Sequence, residues 1–312
     1  MKPHVLIVGA GISGLSTAYA LLQRGFRVTV LDRAAAGRES SWAGGGILSP
    51  LLPWDYGEAV SGIALHAMAM YADWVAGIEE DSGVSTEYWQ CGMRVLDVGT
   101  PDKAIDWCGA HRLEAHYTTA STESSLELRA SLWLPGIAQA RNPRLISALA
   151  SAVKAQGGEI LEHTSGIRVQ RRANRLLSIS TSAGDIPADQ AVLAMGAWSG
   201  LGMEGCPGTP NIRPIRGQML LFKLEPGVLD TILYRNGLYL IPRRDGHILV
   251  GSTLEDVGFD KSTDAATRQR LHTEAAALLP ALASVQPVQH WAGLRPGSPG
   301  NIPVIAHHPD FE

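Results

Sequence analysis

The stretch Val5–Arg33, VLIVGAGISGLSTAYALLQRGFRVTVLDR, narrows the choice of fold more than any other part of the chain. An apolar run breaks at Gly9-Ala10-Gly11-Ile12-Ser13-Gly14 and resumes with helical apolar spacing at Leu15, Ala18, Tyr19 and Leu22, which predicts strand, tight turn and helix. Gly25 predicts the helix end, and a second strand, Val28–Leu31, finishes on Asp32. The pattern is the first βαβ unit of a dinucleotide-binding sheet. Gly9 permits the turn, Gly11 lets backbone approach a pyrophosphate, and Gly14 lets helix and strand pack closely. The helix N-terminus offers unpaired N–H groups to phosphate. A carboxylate at Asp32 accepts hydrogen bonds from a ribose diol and repels a 2′-phosphate, which predicts FAD or NAD rather than NADP. Arg33 is the one residue that argues the other way, since an adjacent arginine can accommodate a 2′-phosphate.

At 312 residues the chain has length for about two domains at roughly 150 residues each. A net charge of −4, with no basic run, excludes a nucleic-acid field, and no apolar segment reaches membrane-spanning length without glycine or charge. The three cysteines, Cys91, Cys108 and Cys206, are odd in number and far apart, fitting neither a disulfide framework nor a metal site. The expected compartment is a reducing cytoplasm.

Beyond Asp32 comes Ser40-Ser41-Trp42-Ala43-Gly44-Gly45-Gly46-Ile47 in place of a crossover helix. Serine hydroxyls can bond a phosphate or ribityl oxygen, and a glycine run lets backbone lie against a large flat group such as an isoalloxazine. Further along, helices are predicted at Leu65–Ile78, Pro101–Arg112, Thr122–Leu132, after Pro143, and at Thr263–Leu279 with Ser262 or Thr263 as cap. Strands are predicted at Met93–Val98, Glu159–Glu162, Ile167–Arg171, Leu176–Ser182, Ile215–Phe222 and His290–Leu294. Ala191–Ala194 reads as one more buried strand. Tyr239–Pro242 and His247–Gly251 form a hairpin turned by Asp245-Gly246.

With these motifs in place the chain resembles the glycine oxidases of thiamine biosynthesis, within the D-amino-acid oxidase family. The likeness rests on VGAGISG at 8–14, the Ser-Ser and Ala-Gly-Gly-Gly-Ile-Leu run at 40–48, GGEILEHT at 157–164, AMGAWSG at 194–200, YLIPRRDGHILVGST at 239–253 and HWAGLRPGSPGNIPVI at 290–305. It implies an α/β fold in which a Rossmann-like FAD domain is interleaved with an α+β substrate domain on a mainly antiparallel sheet. The expected boundaries are 1–50, 140–206 and 296–312 for the first, 51–139 and 207–295 for the second. It implies noncovalent FAD, a small amino acid as substrate and molecular oxygen as acceptor, with no nucleic acid or membrane partner and homo-oligomerisation left open. Carried over by position, Ile12, Ser13, Asp32, Arg33, Ser40, Ser41, Gly45, Gly46, Ile47 and Gly166 are expected FAD contacts alongside Gly9, Gly11 and Gly14. Tyr239 and Arg295 match the pair that holds the substrate carboxylate. A guanidinium is always charged and presents a fork that fits a carboxylate, which suits Arg295 to that task.

Tyr88, Trp54 and Met219 are further candidates for the pocket lining, while His247 and His290 read as structural. Two alternatives stay open at this stage: a dehydrogenase of the same family that uses a quinone acceptor, and a flavin-binding subunit without turnover. The family pattern runs on past a strand like Pro303–Ile305 into a loop and closing helix carrying a second substrate arginine. That segment is expected beyond Glu312.

Overall fold

A computed structural model of the protein describes residues 2–119 and 130–311. The chain opens with β1 (His4–Val8), α1 (Ile12–Gln23), β2 (Arg27–Leu31), α2 (Ser40–Ala43), α3 (Glu58–Ser82), β3 (Met93–Leu96), α4 (Pro101–Ala110) and β4 (His116–Thr118). It continues through β5 (Ser131–Leu134), α5 (Asn142–Ala155), β6 (Glu159–Leu161), β7 (Gly166–Arg172), β8 (Arg175–Thr181), β9 (Gly184–Pro187) and β10 (Gln190–Leu193). The last elements are β11 (Arg213–Lys223), β12 (Ile232–Arg235), β13 (Leu238–Pro242), β14 (His247–Gly251), α6 (Ala265–Leu278) and β15 (Gln289–Gly297).

Three sheets result. The first is parallel throughout, in the order β10-β1-β2-β6. All five residues of β1 are buried, as a central parallel strand covered on both faces requires. Val5, Ile7, Val28 and Val30 point to α1 and α5, where they meet Leu15, Tyr19, Leu145, Leu149 and Val153. Leu6, Val8 and Leu31 point the other way, onto Val169, Leu176 and Ile179 of the antiparallel β7-β8-β9 sheet. Each such aliphatic side chain contributes roughly 1.5–3 kcal/mol by leaving water.

The second layer system is an eight-stranded sheet, β15-β11-β14-β13-β12-β3-β5-β4, antiparallel except where β12 runs parallel to β3. Residue alternation sorts its two faces. Leu220, Phe222, Leu240, Ile248 and Val250 pack under α6. Met219, Tyr239, Ile241, Leu249, Met93 and Val95 line the opposite face, with Trp54 and Trp291 against them.

Several expectations need correction. The expected helix at Thr122–Leu132 lies outside the described residues up to 129, and Ser131 onward is strand, because β5 pairs with β3 and β4. β10 is not buried: among the described residues it pairs only with β1, and Leu193 is 38% exposed. α3 starts seven residues before Leu65. The N-cap of α6 is Asp264, whose carboxylate accepts from the Thr267 N–H at 2.8 Å. Pro303–Ile305 is not a strand, and Ile305 is exposed. No helix of the described residues is long and apolar enough to cross a membrane.

Candidate active site

The turn between β1 and α1 is built as its glycines predict. Gly9 adopts φ +109°, and a Cβ there would stand 2.3 Å from the Ala194 carbonyl oxygen. A Cβ on Gly14 would fall 1.8 Å from the Gly9 carbonyl oxygen, so helix and turn touch backbone to backbone. The first-turn amides of a helix have no intrahelical acceptor. Ser41 Oγ accepts from the Ile12 N–H at 2.9 Å, and those of Ser13 and Gly14 have no acceptor among the described residues. Asp32 is half-buried beside them. Its carboxylate accepts from the Ala10 N–H at 2.9 Å and the Ala34 N–H at 2.9 Å, one per oxygen, which leaves lone pairs for a ribose diol. These open amides, an adjacent hydroxyl and a fixed carboxylate could hold a dinucleotide of the FAD type. Arg33 is turned elsewhere. Its guanidinium lies 3.7 Å over the Trp198 ring and pairs with Glu39 at 3.2 Å. Gly166, the first residue of β7, packs near Val8 at the end of β1.

The segment 40–47 crosses from this turn to the eight-stranded sheet. Trp291 donates its indole N–H to the Ala43 carbonyl at 3.1 Å and meets Trp42 edge to face at 5.7 Å. The glycine run has a reason the sequence did not disclose. A Cβ on Gly45 would come 2.5 Å from Ile241 and 3.3 Å from the Tyr239 ring, and one on Gly46 would come 2.1 Å from the Ala140 carbonyl oxygen. The glycines are thus required by protein neighbours on that side of the loop. Ile47 continues the loop by bridging to Gln139.

Tyr239 and Arg295 share one face of the sheet. Tyr239 stands opposite Gly251, which stands opposite Met219, which stands opposite Trp291. The Tyr239 hydroxyl is buried and donates to Met219 Sδ at 3.3 Å, a weak acceptor that a carboxylate would outcompete. The Arg295 guanidinium lies across Gly217, where a Cβ would stand 2.3 Å from its Nη1. It donates to the Thr253 carbonyl at 3.0 Å and to Ser252 Oγ. Both side chains therefore converge on residues 251–253, next to the glycine loop.

Sequence reasoning missed Arg243. It is 5% exposed and donates to the Gly45 carbonyl at 2.8 Å, to the Ala140 carbonyl at 3.3 Å and to Gln139 Oε1, with no carboxylate bonded to it among the described residues. Burial, then the nearby Arg141, pull its pKa down to about 10, which keeps it cationic at neutral pH. Only its place beside a turn, in PRRDG, marked it in the sequence, and that reading suggests an exposed side chain. Trp54 and Met219 do lie in the apolar layer of the site face, and His290 lies on the reverse face, opposite Leu220 in the β11–β15 ladder. No group of three or more metal-ligating side chains occurs among the described residues.

Comparison with known proteins gives the family and the fold. The chain is 40% identical to a glycine oxidase of Pseudomonas aeruginosa over 325 aligned positions, covering 100% of this chain and 88% of that protein. It is 30% identical to a bifunctional protein ThiO/ThiG of Trichormus variabilis, covering 98% of this chain and 48% of that one. A crystal structure of glycine oxidase from Bacillus cereus superposes with a TM-score of 0.89 at 22% identity, over 100% of this chain and 87% of that chain. Residues 4–312 match the FAD dependent oxidoreductase family described as DAO, and with the open turn, the Asp32 carboxylate and the full-length similarity to hand, the chain belongs to that family and is an FAD-dependent oxidoreductase.

Proposed function

We propose that the protein oxidises glycine, or another small amine-bearing acid such as sarcosine or a small D-amino acid, to an oxo acid, ammonia or amine, and hydrogen peroxide. For glycine the oxo acid is glyoxylate. The observation that carries this reading is the convergence of Tyr239 and Arg295 on one face of the sheet beside the glycine loop. Arg295 binds the substrate carboxylate through its planar fork, and Tyr239 adds a hydroxyl hydrogen bond. Pinning the acid end fixes where the α-carbon lies, which converts an encounter into an oriented complex. Bound FAD would supply the hydride acceptor that oxygen reoxidises to give peroxide, and water hydrolyses the imine left by the substrate to the oxo acid and ammonia or amine. The chain's own residues need only bind the amine in its neutral form, so no side-chain base is assigned. Ser13, Gly14 and the Gly9–Gly11 turn hold the pyrophosphate, Asp32 the ribose, Ser40, Ser41 and Gly45–Ile47 the flavin side, and Gly166 the adenine side.

The names of the relatives, glycine oxidase and ThiO/ThiG, support glycine as substrate and a place in thiamine formation. The test is an anaerobic screen of the yellow protein against glycine, sarcosine, D-alanine and D-proline, followed by peroxide assay in air. Bleaching of the flavin by glycine, with peroxide and ammonia released in step, is the expected result. Protein that stays yellow with every one of these acids would refute the proposal, and bleaching without peroxide would replace oxygen by another acceptor.

A further inference from the structure

The β11–β14 ladder runs without interruption to Met219 opposite Gly251, then resumes at Arg216 opposite Glu255. Two residues of β11, Gly217 and Gln218, thus face three on the other side, Ser252, Thr253 and Leu254. That is a bulge, and bulges re-aim side chains and backbone groups next to a site. Here the extra residue turns the Thr253 carbonyl toward the substrate face, where Arg295 donates to it, while the Thr253 side chain goes into the protein. Gly217 leaves room for the guanidinium above it.

Behind the bulge the sheet is polar where the rest of that face is apolar. The Thr253 hydroxyl donates to Glu255 Oε1 and accepts from the Gln218 N–H at 2.8 Å. Arg216 grips the other oxygen of Glu255 at 2.5 Å and reaches Asp260 at 2.6 Å. The Gln218 side-chain amide donates to Glu255 at 3.1 Å and to Asp264 at 3.0 Å, and its oxygen contacts His290 at 3.0 Å. Thr253, Arg216 and Gln218 are all buried. None of these groups touches the substrate face, and ladder bonds alone would not fix residues 252–254.

We infer that this buried network makes Thr253 a positioning residue for substrate binding: Glu255 and Gln218 hold its hydroxyl, which fixes its carbonyl, which sets the angle of the Arg295 fork. The inference rests on the reading of Arg295 as the carboxylate ligand. A fork held at one angle is complementary to one carboxylate pose, so the network acts on the affinity for the acid group and little on the chemical step.

The experiment uses the FAD-loaded protein and acetate, an unreactive carboxylate, with binding read from perturbation of the flavin spectrum. Loss of one such hydrogen bond in Thr253→Val should weaken acetate binding and raise the KM for glycine by about 5- to 10-fold, with kcat within about 2-fold. FAD affinity should not change, and Thr253→Ser, which keeps the hydroxyl, should restore acetate binding. In an Arg295→Ala background Thr253→Val should have no further effect. Acetate binding as tight in Thr253→Val as in the parent, while Arg295→Ala is weakened, overturns the inference alone. The same holds if the Thr253→Val loss persists undiminished in the Arg295→Ala background. Unweakened binding in Arg295→Ala itself overturns the carboxylate reading and the inference with it. Glu255→Gln, measured in the same way, carries the test if Thr253→Val does not accumulate as folded protein, and is expected to weaken acetate in the same direction.

Discussion

Gly14 has no room for a side chain, and the atom in its way is backbone, which cannot swing aside. Gly14→Ala is therefore expected to push α1 off the turn, to cost about 3 kcal/mol, at the upper end for overpacking, and to strip FAD from the protein. Thermal unfolding and the flavin-to-protein absorbance ratio check both effects. Arg295→Ala should instead keep FAD and lose substrate affinity, by about 2–5 kcal/mol for a charge-assisted pair in a partly desolvated site, with Lys restoring only part. An unchanged apparent affinity for glycine would remove Arg295 from the site. The turn was legible in the sequence because Gly9, Gly11, Gly14 and Asp32 act within one local unit. Tyr239 and Arg295 were legible only through resemblance, since their meeting point depends on a register four strands wide. Arg243 and Thr253 were not legible at all: what matters about them is a carbonyl at Gly45 and a guanidinium at Arg295, both remote in sequence.

At the scale of elements, α6 carries its own acid sensitivity. Hydrogen bonds from the Gln218 side chain and the Thr267 N–H hold the Asp264 pKa down to about 2, against an ordinary 3.8, and Arg216 with Thr253 lowers that of Glu255 against the opposing effect of burial. A depressed carboxylate stabilises the fold above its unfolded pKa and ceases to do so as pH falls through its folded one. The share of the melting temperature that these carboxylates carry should accordingly be full above about pH 5 and be lost between about pH 4 and 2. In Asp264→Asn, which can still cap the helix, the melting temperature should start lower at neutral pH and fall less on acidification. Thermal melts of both proteins across that range check it. Long periodic or alternating segments such as α5, β11 and the β13–β14 hairpin were readable from their patterns. β4, β5, β9 and β12 were not, being short strands whose pairing lies with segments remote in sequence or whose pattern is polar. The exposure of β10 among the described residues escaped because apolar content does not tell a covered strand from an uncovered one.

For the whole molecule, the contact of segment 40–47 with the large sheet is the joint between the two layer systems. Trp291→Phe removes one indole N–H from the Ala43 carbonyl while keeping most of the ring packing. A loss of about 1 kcal/mol in denaturant unfolding is expected, together with looser FAD binding, because the loop that carries Gly45 and Gly46 would no longer be tied at that end. Equal FAD affinity in the two proteins would show that the tie is dispensable. The order of the strands has a different consequence. β1 and β2 lie in the parallel sheet, β3 to β5 in the large one, β6 to β10 in the parallel sheet and its small neighbour, and β11 to β15 in the large one again. Neither layer is a continuous stretch of gene. A single crossover between relatives anywhere from β3 to β12 would marry β3 of one parent to β12 of another, so the large sheet does not travel as one cassette. Tyr239, Met219 and Arg295 nonetheless all lie in the continuous stretch β11–β15, so the selectivity of that face can be exchanged apart from β3 to β5.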